Sequence, residues 1–181
     1  HELNFGVDMG LLKNRLNIAA DIYWRNNFDL IGAAYTIGGT RWGNVASMKS
    51  HGFELSVSTK NIQSKDFSWT TDFIFGSTFN KVTELDTKRN MFNFLTGNGF
   101  ARQGYHVRSL FSIPFTGLDD EGFPTFMVNG KEVTRRNYRD INFQQVDDLD
   151  FLKYEGSSEP TYNGSFGNIF TFKNFKLNVF I

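Results

Sequence analysis

The 181-residue chain contains no cysteine, only three prolines and only three histidines. Without cysteine, disulfide frameworks, thiolate nucleophiles and zinc–cysteine centres are excluded. The histidines, His1, His51 and His106, are far apart and have no ligand-type neighbours, so they read as ordinary polar side chains rather than a metal site. Net charge is also lacking: nineteen Lys and Arg balance nineteen Asp and Glu. That balance gives no support for a nucleic-acid partner or an anionic-membrane surface. No apolar run approaches the roughly 18 residues of a membrane helix. No signal peptide opens the chain, because His1-Glu2-Leu3-Asn4-Phe5 already alternates like a strand. What is abundant is phenylalanine, 21 residues, beside 17 glycines, a composition that suits all-β structure with aromatic faces.

The stretch Phe53–Phe79 organises the rest. Phe53, Leu55, Val57 and Thr59 fall on one face of a strand, and Glu54, Ser56, Ser58 and Lys60 on the other. After a polar turn at Asn61–Asp66, Phe67, Trp69, Thr71, Phe73, Phe75 and Phe79 share one face, and Ser68, Thr70, Asp72, Gly76 and Thr78 the other. A period of two means strand, since successive side chains leave the pleat on opposite sides. The second run is much longer than the five or six residues usual in soluble strands. Two readings fit a long, two-faced strand: a barrel wall between lipid and water, or a hairpin of a large soluble sandwich.

The pattern recurs along the chain. Leu3, Phe5, Val7 and Met9 alternate with polar residues and, after a turn at Gly10–Asn14, so do Leu16, Ile18, Ala20, Ile22 and Trp24. Nine residues tilted by about 40° rise about 23 Å, close to the roughly 25 Å apolar band of an outer-membrane barrel. Leu30–Ser50 is broken by Gly32, Gly38, Gly39 and Gly43 and reads as a long loop, with room for a small strand at Ala34–Ile37. Asp86–Pro160 reads as a second long loop, with short strands expected at Ser109–Phe115 and Pro124–Val128 and turns at Asp119–Gly122 and Asn129-Gly130. Ser165–Phe172 and Phe175–Ile181 form a last strand pair about Lys173-Asn174. The connections thus run short, long, short, long, short. Outer-membrane barrels alternate short periplasmic turns with long extracellular loops, whereas a sandwich has no reason to. The chain starts and stops within strand pattern, from which a segment of a longer protein is expected.

No catalytic set emerges. Asn163-Gly164-Ser165-Phe166-Gly167 approaches a nucleophile elbow but lacks its first glycine and the strand-to-helix context. Asp119-Asp120-Glu121-Gly122 has turn chemistry that also suits a hard cation. Asp147, Asp148 and Asp150 form an acidic run whose plain reading is a solvated loop. No glycine-rich phosphate loop precedes a helix.

Several runs match the motifs of one known family. Asn44-Val45-Ala46-Ser47-Met48 followed by Gly52-Phe53-Glu54-Leu55-Ser56 is similar to that family's N-V-G-x-M and G-(I/F)-E-L run, and Asp66-Phe67-Ser68-Trp69 and Asn80-Lys81-Val82 also fit. The run from Leu110 to Asp119, then Gly122-Phe123-Pro124-Thr125-Phe126, resembles an F-x-G-L-D and G-x-P-x-F segment. Ser158–Asn168 with Phe172-Lys173-Asn174-Phe175 resembles the family's late strand pair. Ala46 and Ser165 stand where glycine is usual. In these runs the chain resembles the SusC/RagA-like TonB-dependent outer-membrane transporters, over nearly its whole length but across only about six late strands of a barrel of about 22.

The resemblance implies an all-β fold: an antiparallel transmembrane β-barrel fragment, about six long strands with two long extracellular loops, with residues 1–181 in the C-terminal part of a receptor and the plug domain and remaining strands absent. It implies import of oligosaccharides or peptides, a SusD-like surface lipoprotein as lid, energy from the TonB complex, outer-membrane lipid around the wall, no cofactor and no enzymatic reaction. Leu30–Ser50 and Asp86–Pro160 would then be extracellular, and Gly10–Asn14, Asn61–Asp66 and Lys173-Asn174 periplasmic. Function in such a wall concentrates in the loops. The expected substrate contacts are Trp42, Arg41, Tyr35, Phe92, Phe94 and Tyr105, with Arg102 and Arg108 as further donors. Aromatic rings pack on apolar sugar faces, and guanidinium groups bond hydroxyls or peptide carbonyls. Trp42, between Arg41 and Gly43, is the first choice. The rival reading is a soluble glycan-binding β-sandwich with Tyr35 and Trp42 on its platform.

Overall fold

The computed structural model describes residues 1–36, 39–87, 89–97 and 99–181, without the side chains of 33–36, 40, 41 and 140. The elements are β1 (Glu2–Leu11), β2 (Leu16–Thr36), β3 (Gly39–Gln63), β4 (Phe67–Leu85), α1 (Met91–Leu95), β5 (Ser109–Ser112), β6 (Phe115–Leu118), β7 (Pro124–Val128), β8 (Lys131–Val133), β9 (Lys153–Ser157), β10 (Tyr162–Phe172) and β11 (Phe175–Phe180). They divide into two compact units. The first holds His1–Asn26, Lys49–Phe79 and Pro160–Ile181; the second holds Asn27–Met48 and Asn80–Glu159.

The first unit is built on a six-stranded sheet of order β1-β2-β3-β4-β10-β11. Its register sorts the side chains. Leu3 faces Trp24, Phe5 faces Ile22 and Met9 faces Ile18 across β1 and β2. Trp69 faces Phe170 and Phe73 faces Phe166 across β4 and β10. Phe170 faces Leu177 and Phe172 faces Phe175 across β10 and β11. Partners in an antiparallel ladder lie on one face, so each pair of strands presents one continuous apolar face. Leu3, Phe5, Val7, Phe73, Phe166, Phe175 and Leu177 are all exposed there. The opposite face carries Glu2 against Arg25, Gly6 against Asp21, Asp72 against Gly167 and Gly76 against Asn163. A soluble sandwich would need a second sheet over the apolar face; Trp24, Phe5, Phe73, Phe166 and Phe175 of this face are exposed instead.

Aromatic rings gather at two levels of this wall. Near the short turns Trp69 stacks on Phe170 at 5.6 Å. Trp69 Nε1 donates to Asn168 Oδ1 at 2.9 Å, Thr71 Oγ1 donates to the same oxygen, and Asn61 Nδ2 donates to Thr71 Oγ1. At the other level Tyr162 stacks on Phe75 and meets Phe79 edge-on, and His51 stacks on Phe79. The ten-residue step from Trp69 to Phe79, at about 3.3 Å per residue and about 40° tilt, separates the levels by about 25 Å. This is the spacing of the two interfacial girdles of an outer-membrane barrel.

On the polar face Tyr23 lies across Gly52, and its hydroxyl is 2.9 Å from Thr78 Oγ1. A Cβ at Gly52 would overlap the Tyr23 hydroxyl and the Ser77 carbonyl oxygen. The glycine that opens the Gly52-Phe53-Glu54-Leu55 run is therefore fixed by the ring packed over it.

The structure corrects several boundaries. Gly10 stays in the ladder opposite Asn17, and the first turn is made by 12–15, with Leu12, Lys13 and Asn14 all at positive φ. The second turn is 64–66, closed by Ser64 Oγ on Phe67. The larger correction is Leu30–Ser50. Outside Ile37 and Gly38, which are not among the described residues, it is strand, the continuation of β2 and β3. Ladder hydrogen bonds satisfy the backbone without side-chain alternation, and the buried side chains of this ribbon, Val45, Ser47 and Ser50, are mostly polar and leave no apolar period. The small strand expected at Ala34–Ile37 is part of β2 as far as Thr36.

Candidate functional site

The second unit contains the residues between β4 and β10, and these make a small folded body instead of open loop. Met91, Phe94, Phe111, Leu149 and Leu152 form its core, with Phe100, Tyr105, Ile113, Ile141 and Phe151 packed against it. The helix α1 begins where the Asn90 side chain accepts from the Asn93 N–H, a standard N-cap. β5 pairs with β9. Phe111 sits edge-on to both Phe94 (5.5 Å) and Tyr105 (5.2 Å).

Arg102 locks this core from outside. Its guanidinium lies over the rings of Tyr105 and Phe111, and its nitrogens donate to Leu149 O at 3.2 Å and Asp150 Oδ1 at 2.5 Å. The acidic run Asp147–Asp150 is thus a tied loop: Asp150 pairs with Arg102, and Gln145 Nε2 donates to the carbonyls of Asp147 and Asp148.

β6, β7 and β8 make a second small sheet. Its first turn is held by Asp119, whose Oδ1 accepts from the N–H groups of Phe123 (2.9 Å) and Glu121 (3.0 Å). Glu121 pairs with Arg135 and Arg136, and Arg135 lies over the Phe123 ring at 4.6 Å. The carboxylate of the Asp119-Asp120-Glu121-Gly122 turn is therefore engaged by its own backbone. The Phe123 N–H, aided by Glu121 N–H and the two arginines, holds the Asp119 carboxyl below its ordinary range. A depressed folded-state pKa stabilises above the unfolded pKa, about 4, and the contribution is lost as pH falls through the folded value. Acidification below about pH 4 should therefore raise amide exchange at Glu121 and Phe123 in the wild type. Asp119→Asn should remove that pH step; exchange that still steps at the same pH would assign it to another carboxylate.

The sequence candidates separate by environment. Trp42 is 75 % exposed and Phe92 is 53 % exposed. Phe94, only 6 % exposed, belongs to the core, and Tyr105 is pinned between Arg102, Phe111 and Tyr154. Phe94 is thus a packing residue, not a surface for ligand. Arg108 Nε pairs with Glu159 at 3.0 Å. The side chains of Tyr35 and Arg41 lie outside the described residues.

Two grooves of this unit escaped the sequence reading. One is lined by Asp29, Asn44, Ser47, Glu84, Asp86 and Gln103. Ser47 Oγ donates to Glu84 Oε2 at 2.9 Å, and Asp86 N donates to Val45 O at 2.6 Å. The Asn44–Met48 run, noticed only as a family likeness, is thereby one bank of a polar groove. The other groove is lined by Thr87, Arg89, Gly99, Phe100, Val107 and Arg108. The Thr87 hydroxyl is buried without a hydrogen-bond partner among the described residues. No spacing rule would have found either, since their banks lie far apart in sequence.

No family model matches the chain. Among curated relatives it is 26% identical to TonB-dependent receptor P3 of Formosa agariphila, over 99% of this chain and 19% of the receptor. It is 31% identical to TonB-dependent receptor SusC of Bacteroides thetaiotaomicron, over 45% of this chain and 9% of SusC. In fold it resembles the RagAB peptide transporter, with a TM-score of 0.75 at 22% identity, over 99% of this chain and 20% of the other. The likeness is 0.75 to the closed-closed and 0.74 to the open-open state of the RagAB peptide importer. The chain spans about a fifth of the length of the relatives it matches throughout. A girdled, two-faced wall and the likeness in sequence and fold agree: the chain is similar to a segment of the outer-membrane β-barrel of SusC/RagA-like TonB-dependent receptors.

Proposed function

We propose that the chain serves in TonB-dependent import of an oligosaccharide or peptide across the outer membrane, as part of the C-terminal barrel of a receptor whose plug and remaining strands lie elsewhere in the protein. The observation that carries this reading is the six-stranded sheet with one exposed apolar face between two aromatic girdles about 25 Å apart. The antiparallel strand order and the long β4–β10 connection support an orientation: the turns at 12–15, 64–66 and 173–174 face the periplasm, and the connections β2–β3 and β4–β10 face outward. A SusD-like lipoprotein covers the outward side and TonB supplies the energy. The likeness in fold to a peptide transporter and importer favours a peptide, and the likeness to SusC favours a glycan. Exposed Trp42 and Phe92 meet either one, with the polar groove of Asn44, Ser47 and Gln103 supplying hydrogen bonds. Tyr35 and Arg41 remain candidates beside Trp42.

In the full receptor, Trp42→Ala should slow uptake of the labelled oligomer by about two- to tenfold, the factor given by about 0.5–1.5 kcal/mol of aromatic stacking. Barrel yield and lipoprotein co-purification should be unchanged. Uptake that persists without TonB would refute the transport reading. Unaltered uptake would remove Trp42 from the site, and lost co-purification would assign it to the lid interface.

A further inference from the structure

The balanced net charge conceals a local excess. Residues 10–17, 59–68 and 171–177 hold Lys13, Arg15, Lys60, Lys65, Lys173 and Lys176 against Asp66 alone. These stretches contain the three short turns, and the fold gathers them at one end of the first unit's sheet. Arg15 Nη2 donates to the carbonyls of Asn61 at 2.7 Å and Lys60 at 3.2 Å, and Lys173 N donates to Asp66 O at 2.9 Å. Beside this cationic rim lies the turn-side girdle of Trp69, Phe170, Phe172 and Phe175. Lys173 Nζ lies 5.4 Å from the Phe172 ring centroid.

At one point the rim forms a groove of mixed character. It is lined by Leu12, Lys13, Arg15, Leu16, Thr59, Lys60 and Asn61. Arg15 is held rigidly, but by carbonyl oxygens, and no ion pair engages Arg15, Lys13 or Lys60 among the described residues. Leu12 is exposed, and Leu16, opposite Leu11, begins the apolar row that continues through Met9 and Ile18. Cations that face neither a carboxylate nor open water alone, beside an exposed leucine that leads onto a lipid-facing row, match one kind of molecule. It has an anionic head and an apolar tail.

We propose that this groove binds an anionic glycerophospholipid of the periplasmic leaflet. Its phosphate diester sits against Arg15, with Lys13 of the same turn closing on it, and an acyl chain lies along Leu12, Leu16 and the row above. Basic pockets at a membrane interface take anionic head groups because each nearby cation adds attraction to the phosphate, while the chain stays in hydrocarbon. The inference rests on the outer-membrane reading and its orientation.

The test uses the full receptor, purified in mild detergent and titrated with phosphatidylglycerol, phosphatidylethanolamine, lipid A or inorganic phosphate under native mass spectrometry. Phosphatidylglycerol should stay bound in preference to phosphatidylethanolamine. Lys13→Gln should weaken it by about fivefold, the worth of one lysine near a membrane surface. Lys13→Arg should restore it, and Lys60→Gln, on the polar face, should leave it unchanged. Equal retention of both phospholipids, or an unchanged Lys13→Gln variant, would overturn the site. Displacement by inorganic phosphate would leave an anion site without a lipid, and preference for lipid A would overturn the leaflet; either outcome overturns the proposal. The same preparations are checked for heat-modifiable gel mobility and outer-membrane fractionation. A receptor absent from the membrane would refute the membrane reading itself, whereas a folded, inserted receptor without selectivity refutes only the lipid site.

Discussion

Phe73→Arg in the full receptor should reduce the stability of the folded, membrane-inserted barrel by about 2–4 kcal/mol, the cost of a cation at the lipid-facing midplane. Phe73 faces Phe166 across the ladder and lies four residues from the Trp69 girdle and six from Phe79. An arginine there is too deep to reach either interface without distorting the wall. Asp72→Asn, one residue away on the opposite face and paired with Gly167, should cost less than about 0.5 kcal/mol, as surface changes do. Folded fraction against urea in lipid vesicles, read by heat-modified gel mobility, checks both. Equal losses would mean that the two faces are not lipid and water.

Phe94→Ala should lower the local stability of the body between β4 and β10 by about 3–5 kcal/mol, since truncating a buried aromatic loses its burial and leaves a cavity. Phe94 packs with Met91, Leu149 and Leu152 and meets Phe111 edge-on. Phe92, two residues earlier and exposed, is the control: Phe92→Ala should change stability by less than about 0.5 kcal/mol. Amide protection over α1, β5 and β9, with the barrel intact, separates the two. Loss of protection at Phe92→Ala equal to that at Phe94→Ala would show that the exposed ring is also part of the packing.

Phe92 and Phe94 also show why the ligand surface was only partly legible. Both are phenylalanines in one short polar stretch, and composition treats them alike. In α1 the two point in different directions, because a two-residue step turns a helix by about 200°. The core that receives Phe94 comes from Phe111, Leu149 and Leu152, residues whose approach no local pattern announces. The same holds for Arg102 and Tyr105, candidate contacts by type, which the fold uses to close a core.

By itself the sequence determined the wall. The alternation through Phe53–Phe79, Leu3–Met9 and Leu16–Trp24 is enough to define strands, faces and the thickness to be spanned, because a strand's side-chain period is fixed by its backbone. It also determined the turns at Asp119–Gly122 and Asn129-Gly130, whose residue types set their own geometry. Only the tertiary structure decided that 30–50 is largely paired strand. It alone decided that 86–160 holds a packed core, which banks form grooves, and that cations from three separate turns share one rim. Those features arise from contacts between segments far apart in sequence. The energy lies in pairing and packing across the gap, and neither leaves a period in either segment alone.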